Sequence, residues 1–402
     1  MSRGDFDIVV VGAGIAGSAL ALALRGSGWS VALVEAGPAA RPELPAERGL
    51  LDFDRRVVAL NPRSRRFLQD LGAWSAVADY RCCPYRHMTV WDGDGTACVE
   101  FDASETGGEE LGVIVENRAL VSALLEALAG QRELAWLAPE TVSDIRPGGP
   151  GWQLQLASGR RLEAALVVAA DGALSPLREL AGFPTREWDY GHRAIVATVE
   201  LDGPHGDTAW QRFSDTGPLA LLPLPGSGER HFCSIVWSQR EARAAELLAL
   251  DDEAFRRALE AACEGRPAGI VACSPRVGFP LRQRHARDYV QPGLALVADA
   301  AHTIHPLAGQ GLNLGLQDVA VLAAELQRAQ RRGLAPGDLA VLRRYQRQRK
   351  GENLLMMAAM EGFKRLFEAP EPPVRWLRNS GMRLFQRATP LKQQVMHRAM
   401  GL

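Results

Sequence analysis

Short apolar runs stopped by a charged residue or a glycine punctuate the first 300 positions. Asp7–Val11, Ser30–Val34, Leu111–Val115, Ala165–Ala170 and Leu294–Ala298 have the length and branched content of buried strands. Helical spacing follows several of them: Ser18–Arg25, the apolar set Leu120, Leu124, Leu125 and Leu128, and Leu316–Leu326. Fully apolar strands alternating with helices predict a parallel sheet covered on both faces. Two stretches break the rule. Around Tyr85, Met88, Val90, Trp91, Val99 and Phe101, with Asp92–Gly95 as the turn, and again from Arg193 to Trp237, apolar and polar residues alternate between Pro/Gly turns. That pattern predicts antiparallel sheet. Residues 241–265 read as helical. The fold class is therefore α/β, with a Rossmann-type domain over 1–80, 111–184 and 280–340. A β-rich domain over 81–110 and 185–279 interrupts it, and a helical region over 341–402 closes the chain.

The strongest local signal is Gly12-Ala13-Gly14-Ile15-Ala16-Gly17, set between a strand and a helix. Gly12 suits a tight turn, Gly14 the close approach of a pyrophosphate, and Gly17 tight helix–strand packing. Glu35 lies 23 residues after Gly12 at the end of the second strand, where a carboxylate accepts from ribose hydroxyls. An acid there fits FAD or NAD better than NADP. Arg55, Arg56 and Arg63 follow; they either neutralise cofactor phosphates or belong to a solvated surface. Asp171-Gly172 ends another strand, with Ser175 and Arg178 spaced as DGxxSxxR. The densest stretch runs from Gly293 to Gln317. Its strand ends on Asp299, and His302, His305, Pro306, Gly309, Gln310, Gly311 and Asn313 follow just ahead of a helix. Glycines there let backbone N–H groups approach a ligand.

Composition removes several classes. The chain has 402 residues, 47% hydrophobic and 23% charged, with a net charge of −1, so nucleic acid is not an expected partner. Charge is uneven: residues 342–402 hold 13 Lys/Arg against four Glu, a balance of +9, leaving −10 on residues 1–341. The cysteines at 82, 83, 98, 233, 263 and 273 form no CxxC pair and no histidine-interleaved spacing. No metal site is expected, and the thiols read as reduced, in keeping with a cytoplasmic location. No run reaches the ~20 apolar residues of a membrane span, and the first apolar run leads into a glycine motif rather than a cleavage site. In the basic region Met356, Met360, Phe363 and Phe367 share one helical face. Val374, Leu377, Gly381 and Leu384 form a second stripe flanked by Arg375, Arg378, Arg383 and Arg387. Such stripes are either core, or an amphipathic element that docks on a membrane or a partner.

Three motifs in this order, GAGIAG with Glu35, Asp171-Gly172-x-x-Ser175-x-x-Arg178 and the Asp299 loop, resemble FAD-dependent aromatic-ring hydroxylases with the para-hydroxybenzoate hydroxylase fold. The string from His305 to Asp318, HPLAGQGLNLGLQD, resembles the ubiquinone-biosynthesis hydroxylases among them. Arg56–Leu60, Val115-Glu116-Asn117 and Met400-Gly401-Leu402 add to that likeness. One departure is visible: the family usually has Gly-Asp where this chain has Ala298-Asp299, which predicts slightly altered backbone packing there. The resemblance implies that Gly12, Gly14, Gly17, Glu35, Arg56, Arg118, Asp171, Gly172, Asp299, Gly309, Gly311 and Asn313 bind FAD. His305, Pro306 and Gln310 would lie beside the flavin. It further implies NADH or NADPH as a transient reductant and O₂ as co-substrate, meeting on the flavin to give a C4a-hydroperoxide that attacks an electron-rich ring. His302 and His305 are then proton shuttles or packing residues. The implied substrate is a polyprenyl-phenol or quinol of ubiquinone biosynthesis. The inner face of the cytoplasmic membrane, or other ubiquinone-biosynthesis proteins, would be partners, and a homo-oligomer is compatible with it. A hydroxylase of a small soluble aromatic and a flavoprotein scaffold are the alternatives.

Overall fold

The computed structural model describes residues 5–93, 95–131, 133–149, 151–267, 269–304, 310–369 and 371–401. Its central strand is Phe6–Val11, flanked in parallel by Val31–Val34 and Arg161–Ala169. Leu134–Leu137 extends this sheet beyond Val31–Val34, and Leu294–Leu296 extends it beyond Arg161–Ala169, both in parallel. Strands covered on both faces need apolar residues at every position, and Ile8, Val9, Val10, Ala32, Leu33, Val167 and Val168 are all fully buried. Register aligns the strand ends: Val11 stands beside Val34 and Ala169, and Ala169 beside Leu296. Gly12, Glu35, Asp171 and Asp299 therefore leave the sheet along one edge, the carboxyl edge where open α/β sheets bind ligands. An antiparallel hairpin, Val142–Gly148 with Gly151–Leu156, pairs onto Arg161–Ala169 from the side. The helix Ile15–Ala23 packs beside the helices Asn117–Ala129 and Gln310–Arg331.

A second sheet of nine strands is built on Thr185–Leu201. That strand pairs antiparallel with Arg230–Arg240 on one side and with Val277–Ala286 on the other. Leu219–Ser227, Thr208–Phe213 and the hairpin His87–Asp92/Cys98–Asp102 continue the sheet. One face is sealed by the helices Glu241–Ala249 and Asp252–Cys263 over Ile195, Val199, Leu221, Ile235 and Trp237, with Phe255 of the second helix packed among them. The predicted antiparallel domain is thus mixed at one joint, since Thr208–Phe213 runs parallel to His87–Asp92. Their connection is long-range, so alternation within each strand carried no sign of direction. Two expected boundaries also move. Cys83–Tyr85, placed with the β-rich residues 81–110, instead pairs with Gly112–Glu116 in a small sheet that also holds Val57–Leu60. Val277–Ala286 spans the expected break at 280 and belongs wholly to the second sheet, because its backbone groups are paired along Thr185–Val196.

The basic region folds as the helices Leu339–Glu368, Pro372–Arg387 and Thr389–Met400. The last two lie against the hairpin 87–102: Arg378 makes a buried ion pair with Asp92 at 2.7 Å, and Lys392 pairs with Glu105 at 2.7 Å. Of the predicted stripes, Phe367 is buried, whereas Phe363, Leu377 and Leu384 face solvent. Arg378, read as a surface flank, is instead interior. Among the described residues no helix is long and apolar enough to cross a membrane.

Candidate functional site

The three motif glycines differ in what surrounds them. Gly12 has φ +100°, and a Cβ there would meet the Ala170 carbonyl oxygen at 2.5 Å. A Cβ on Gly17 would lie 1.8 Å from the Gly12 carbonyl oxygen. Both positions demand glycine for the fold itself. Around Gly14 nothing lies within 4 Å of the added atom. Gly14 is also the N-cap of the helix Ile15–Ala23, and no side chain caps the N–H groups of the first turn. A helix N-terminus of that kind attracts phosphate. Glu35 closes the loop from below: its carboxylate accepts from the Ala13 N–H at 2.6 Å and the Gly37 N–H at 2.8 Å.

The Asp171 motif forms the neighbouring wall. Gly172 has φ +85°, and Ser175 caps the short helix Pro176–Leu180 by accepting from the Arg178 N–H at 3.0 Å. The Asp171 carboxylate accepts from the Ser175 hydroxyl at 2.5 Å and from the Leu177 N–H at 3.1 Å. Burial pushes its carboxyl up, against these two hydrogen bonds. Arg178 is buried and donates to the carbonyls of Ala300 and Ala173, tying this wall to the Asp299 turn; its Nε has no partner. Serine and arginine of DGxxSxxR thus position backbone, and the turn they shape faces the sheet edge.

Asp299 sits in a 3₁₀ turn, Ala298–Ala300, directly after the strand Leu294–Leu296. Burial pushes its carboxyl up, offset in part by His302 and by Arg56, which the fold brings to this side of the site. Among the described residues its carboxylate makes no hydrogen bond, which leaves its acceptor capacity to a ligand bearing hydroxyls. Ala298 has φ +52°, a left-handed conformation that costs an L-residue about 1–2 kcal/mol. That is the cost of the departure from the family's glycine. It is accommodated across the turn: a Cβ on Gly315 would come within 2.7 Å of the Ala298 methyl, so glycine at 315 makes the room.

Behind the turn lies a buried charged network. Asp318 accepts from Arg349 Nε at 2.8 Å, from Asn353 Nδ2 at 3.1 Å and from the Ala298 N–H at 3.2 Å, and His302 Nε2 stands 2.5 Å from it. Burial alone would raise the Asp318 carboxyl, but His302 and Arg349 outweigh it and hold it below the usual carboxylate range. Arg349 also donates to Gln317, Glu352 and Asn353. The strand pair His285–His302 and the Tyr289 hydroxyl, 3.0 Å from His285, complete it. Asp318 thus fixes the backbone of the Ala298–Asp299 turn from the protein side. His302 is a member of this network with one buried nitrogen, Nδ1, unpartnered.

Of the other expected site residues, Gln310 and Gly311 open the helix Gln310–Arg331. His305, Pro306 and Gly309 lie outside the described residues. Asn313 is buried, and its amide clamps main chain, donating to the Ala59 carbonyl at 2.8 Å and accepting from the Asn61 N–H at 3.0 Å. Arg118 donates to Glu116 at 2.7 Å and to the Asp52 carbonyl; Glu116 also holds Arg81 at 2.5 Å. Arg118 is therefore held by a local carboxylate at the start of its helix rather than by the glycine loop. Asp318, Arg349 and Asn353 were missed as a unit, because 31 and 35 residues of chain separate partners that meet only in the fold. Away from this site, Cys83, His205 and Asp207 bring possible ligand atoms within 4.8 Å of one another; burial pushes the Cys83 thiol up to about 12.

Residues 5–353 match the family described as FAD binding domain. The chain is 38% identical over 403 residues to the 3-demethoxyubiquinol 3-hydroxylase of Escherichia coli, covering all of both chains. It is 34% identical to the mitochondrial ubiquinone biosynthesis monooxygenase COQ6 of Xenopus tropicalis, across 97% of this chain and 92% of that one. Among solved structures, the p-nitrophenol 4-monooxygenase PnpA of Pseudomonas putida shares the fold, with a TM-score of 0.77 at 18% identity over 98% of each chain.

Proposed function

The chain belongs to the FAD binding domain family of flavin monooxygenases, and from that premise we propose that it hydroxylates the aromatic ring of a polyprenyl-phenol or quinol in ubiquinone biosynthesis. The observation that carries the cofactor's placement is the contrast within one loop. Gly12 and Gly17 are closed by protein, while Gly14 opens on free space at a helix N-terminus. Glu35, the Asp171 turn and Asp299 share the sheet edge with that opening, and the unbonded Asp299 carboxylate suits the hydroxyls of a ribityl chain. Bound FAD, reduced by NADH or NADPH, supplies the activation of O₂.

The protein's own part is placement. The glycine loop and its N–H groups hold the pyrophosphate, and Glu35 anchors the ribose end. The Ala298–Asp299 turn, braced by Asp318 and Arg178, would hold the flavin half through the Asp299 carboxylate. Gln310 and Gly311, at the N-terminal end of their helix, would present its positive end to the flavin, where it would favour negative charge on the ring. Ile304 and Met357 pack on Leu314 of this helix, an apolar cluster that would keep water from a flavin seated beside it. A prenylated substrate resides in the bilayer, so the enzyme meets it at a membrane surface or through a partner protein. NAD(P)H oxidation by the yellow, FAD-loaded protein should rise on adding a prenylated phenol and depend on prenyl length. Equal turnover with unprenylated phenols would favour a soluble aromatic substrate, and no stimulation by any phenol would remove the hydroxylase reading.

A further inference from the structure

Helix Pro372–Arg387 is amphipathic the wrong way round for a core element. The side against the protein is largely polar: Arg378 is 3% exposed on Asp92, Asn379 donates to the same carboxylate, and Gln386 accepts from the Glu100 N–H, with Phe385 edge-on to Phe101 among them. The outward side carries Trp376, Leu377 and Leu384, exposed at 71%, 63% and 70%. At 100° per residue Trp376, Leu384 and Leu377 fall within an arc of about 100°, with Arg383 on its border and Arg387 inside it near the C-terminal end. Helix Thr389–Met400 buries Met396 and Met400 beside Ala103 and Leu111 and turns Lys392 inward onto Glu105, yet Leu391 and Val395, one turn apart, are exposed at 52% and 44%. A helix that turns a charge inward and shows its large apolar side chains to water is covered by something.

We propose that this face docks on an anionic lipid surface, with both helices lying in its plane. Charge selects that occupant. After Glu371 the sequence contains no acidic residue, while Arg383, Arg387 and Arg398 stand on the exposed surface. Arginine bordering Trp and Leu is the composition of an interfacial helix on anionic lipid. A second copy of the chain is the poorer fit, because a two-fold contact through this face would bring the same arginines against one another. The inference stands apart from the hydroxylase reading, since binding is measured with no substrate present.

The test is co-sedimentation of the full-length, FAD-loaded protein with vesicles of phosphatidylglycerol and phosphatidylcholine, or of phosphatidylcholine alone. The wild-type protein should bind the anionic vesicles and release from them as salt rises. Reversing Arg383, Arg387 and Arg398 to Glu should weaken binding at least about a hundredfold, since each lost basic residue alone accounts for about fivefold. Changing Trp376, Leu377 and Leu384 to Ser should abolish sedimentation while the flavin stays bound, because these side chains contribute nothing to the fold. Turnover of a soluble short-chain phenol should be the same in all three proteins. Wild-type protein left in the supernatant with anionic vesicles would overturn the inference. So would a serine variant that still binds them, or one that merely converts a wild-type dimer to monomer.

Discussion

Replacing Asp318 by Asn keeps the shape of the buried network and removes its charge. The carboxylate takes hydrogen bonds from Arg349 Nε at 2.8 Å, Asn353 at 3.1 Å and the Ala298 N–H at 3.2 Å, with His302 Nε2 at 2.5 Å. An amide oxygen replaces only one of the two carboxylate oxygens, the one that serves Arg349 and Asn353 or the one that serves Ala298 and His302; it no longer balances the guanidinium, and its own NH₂ must face the other pair. Breaking a buried pair from one side costs about 3–5 kcal/mol. Glu352 and Gln317 still engage Arg349 Nη1, so the lower end, about 3 kcal/mol, is expected. Against a total of about 5–15 kcal/mol this is large but survivable. The assay is urea unfolding of FAD-free protein followed by circular dichroism, because bound cofactor would add its own stabilisation. A cycle with Arg349→Met should give a coupling of about 1–3 kcal/mol. FAD affinity should fall as well, since the turn carrying Asp299 loses its brace. A loss below about 1 kcal/mol, or strict additivity with Arg349→Met, would refute the reasoning.

Three further outcomes follow from the site. Gly14→Val should leave FAD-free stability unchanged and lower FAD affinity at least tenfold, whereas Gly17→Ala should destabilise the FAD-free protein; unfolding and flavin titration separate the two. Asp299→Ala should weaken FAD more than Glu35→Gln, yet leave the FAD-free protein as stable as before or more so at neutral pH. The Asp299 carboxyl is raised by burial, so its ionised form opposes folding above that raised value. His285 is lowered from 6.5 to about 4 by burial, with His302 adding to it, so it folds neutral. Its contribution is complete above pH 6.5 and is lost as pH falls toward 4, by about 3 kcal/mol at most. In His285→Gln that part of the acid loss should vanish from urea midpoints measured between those limits.

Local signals carried the first sheet. Its strands are apolar at every position and its glycine loop needs no distant partner, so Gly12, Gly17 and the Asp299 turn were readable from neighbours in the chain. The parallel pairing of Thr208–Phe213 with His87–Asp92 was not, because a strand's alternation is the same in either direction. Arg378 was misread for a related reason. In the sequence it flanks an apolar stripe, and only the distant Asp92 turns that side inward. The amide contacts of Asn313 with Ala59 and Asn61 were likewise invisible, because those partners lie more than 250 residues earlier in the chain.

The central claim is that this flavoprotein inserts oxygen from O₂ into a prenylated ring. Turnover under ¹⁸O₂ with NAD(P)H and a prenylated phenol, read by mass spectrometry of the extracted product, tests it directly. The account predicts a product heavier by a single labelled oxygen, formed in proportion to NAD(P)H consumed and absent without FAD. NAD(P)H consumption that yields only hydrogen peroxide across prenylated substrates, with no label in any ring, would contradict it.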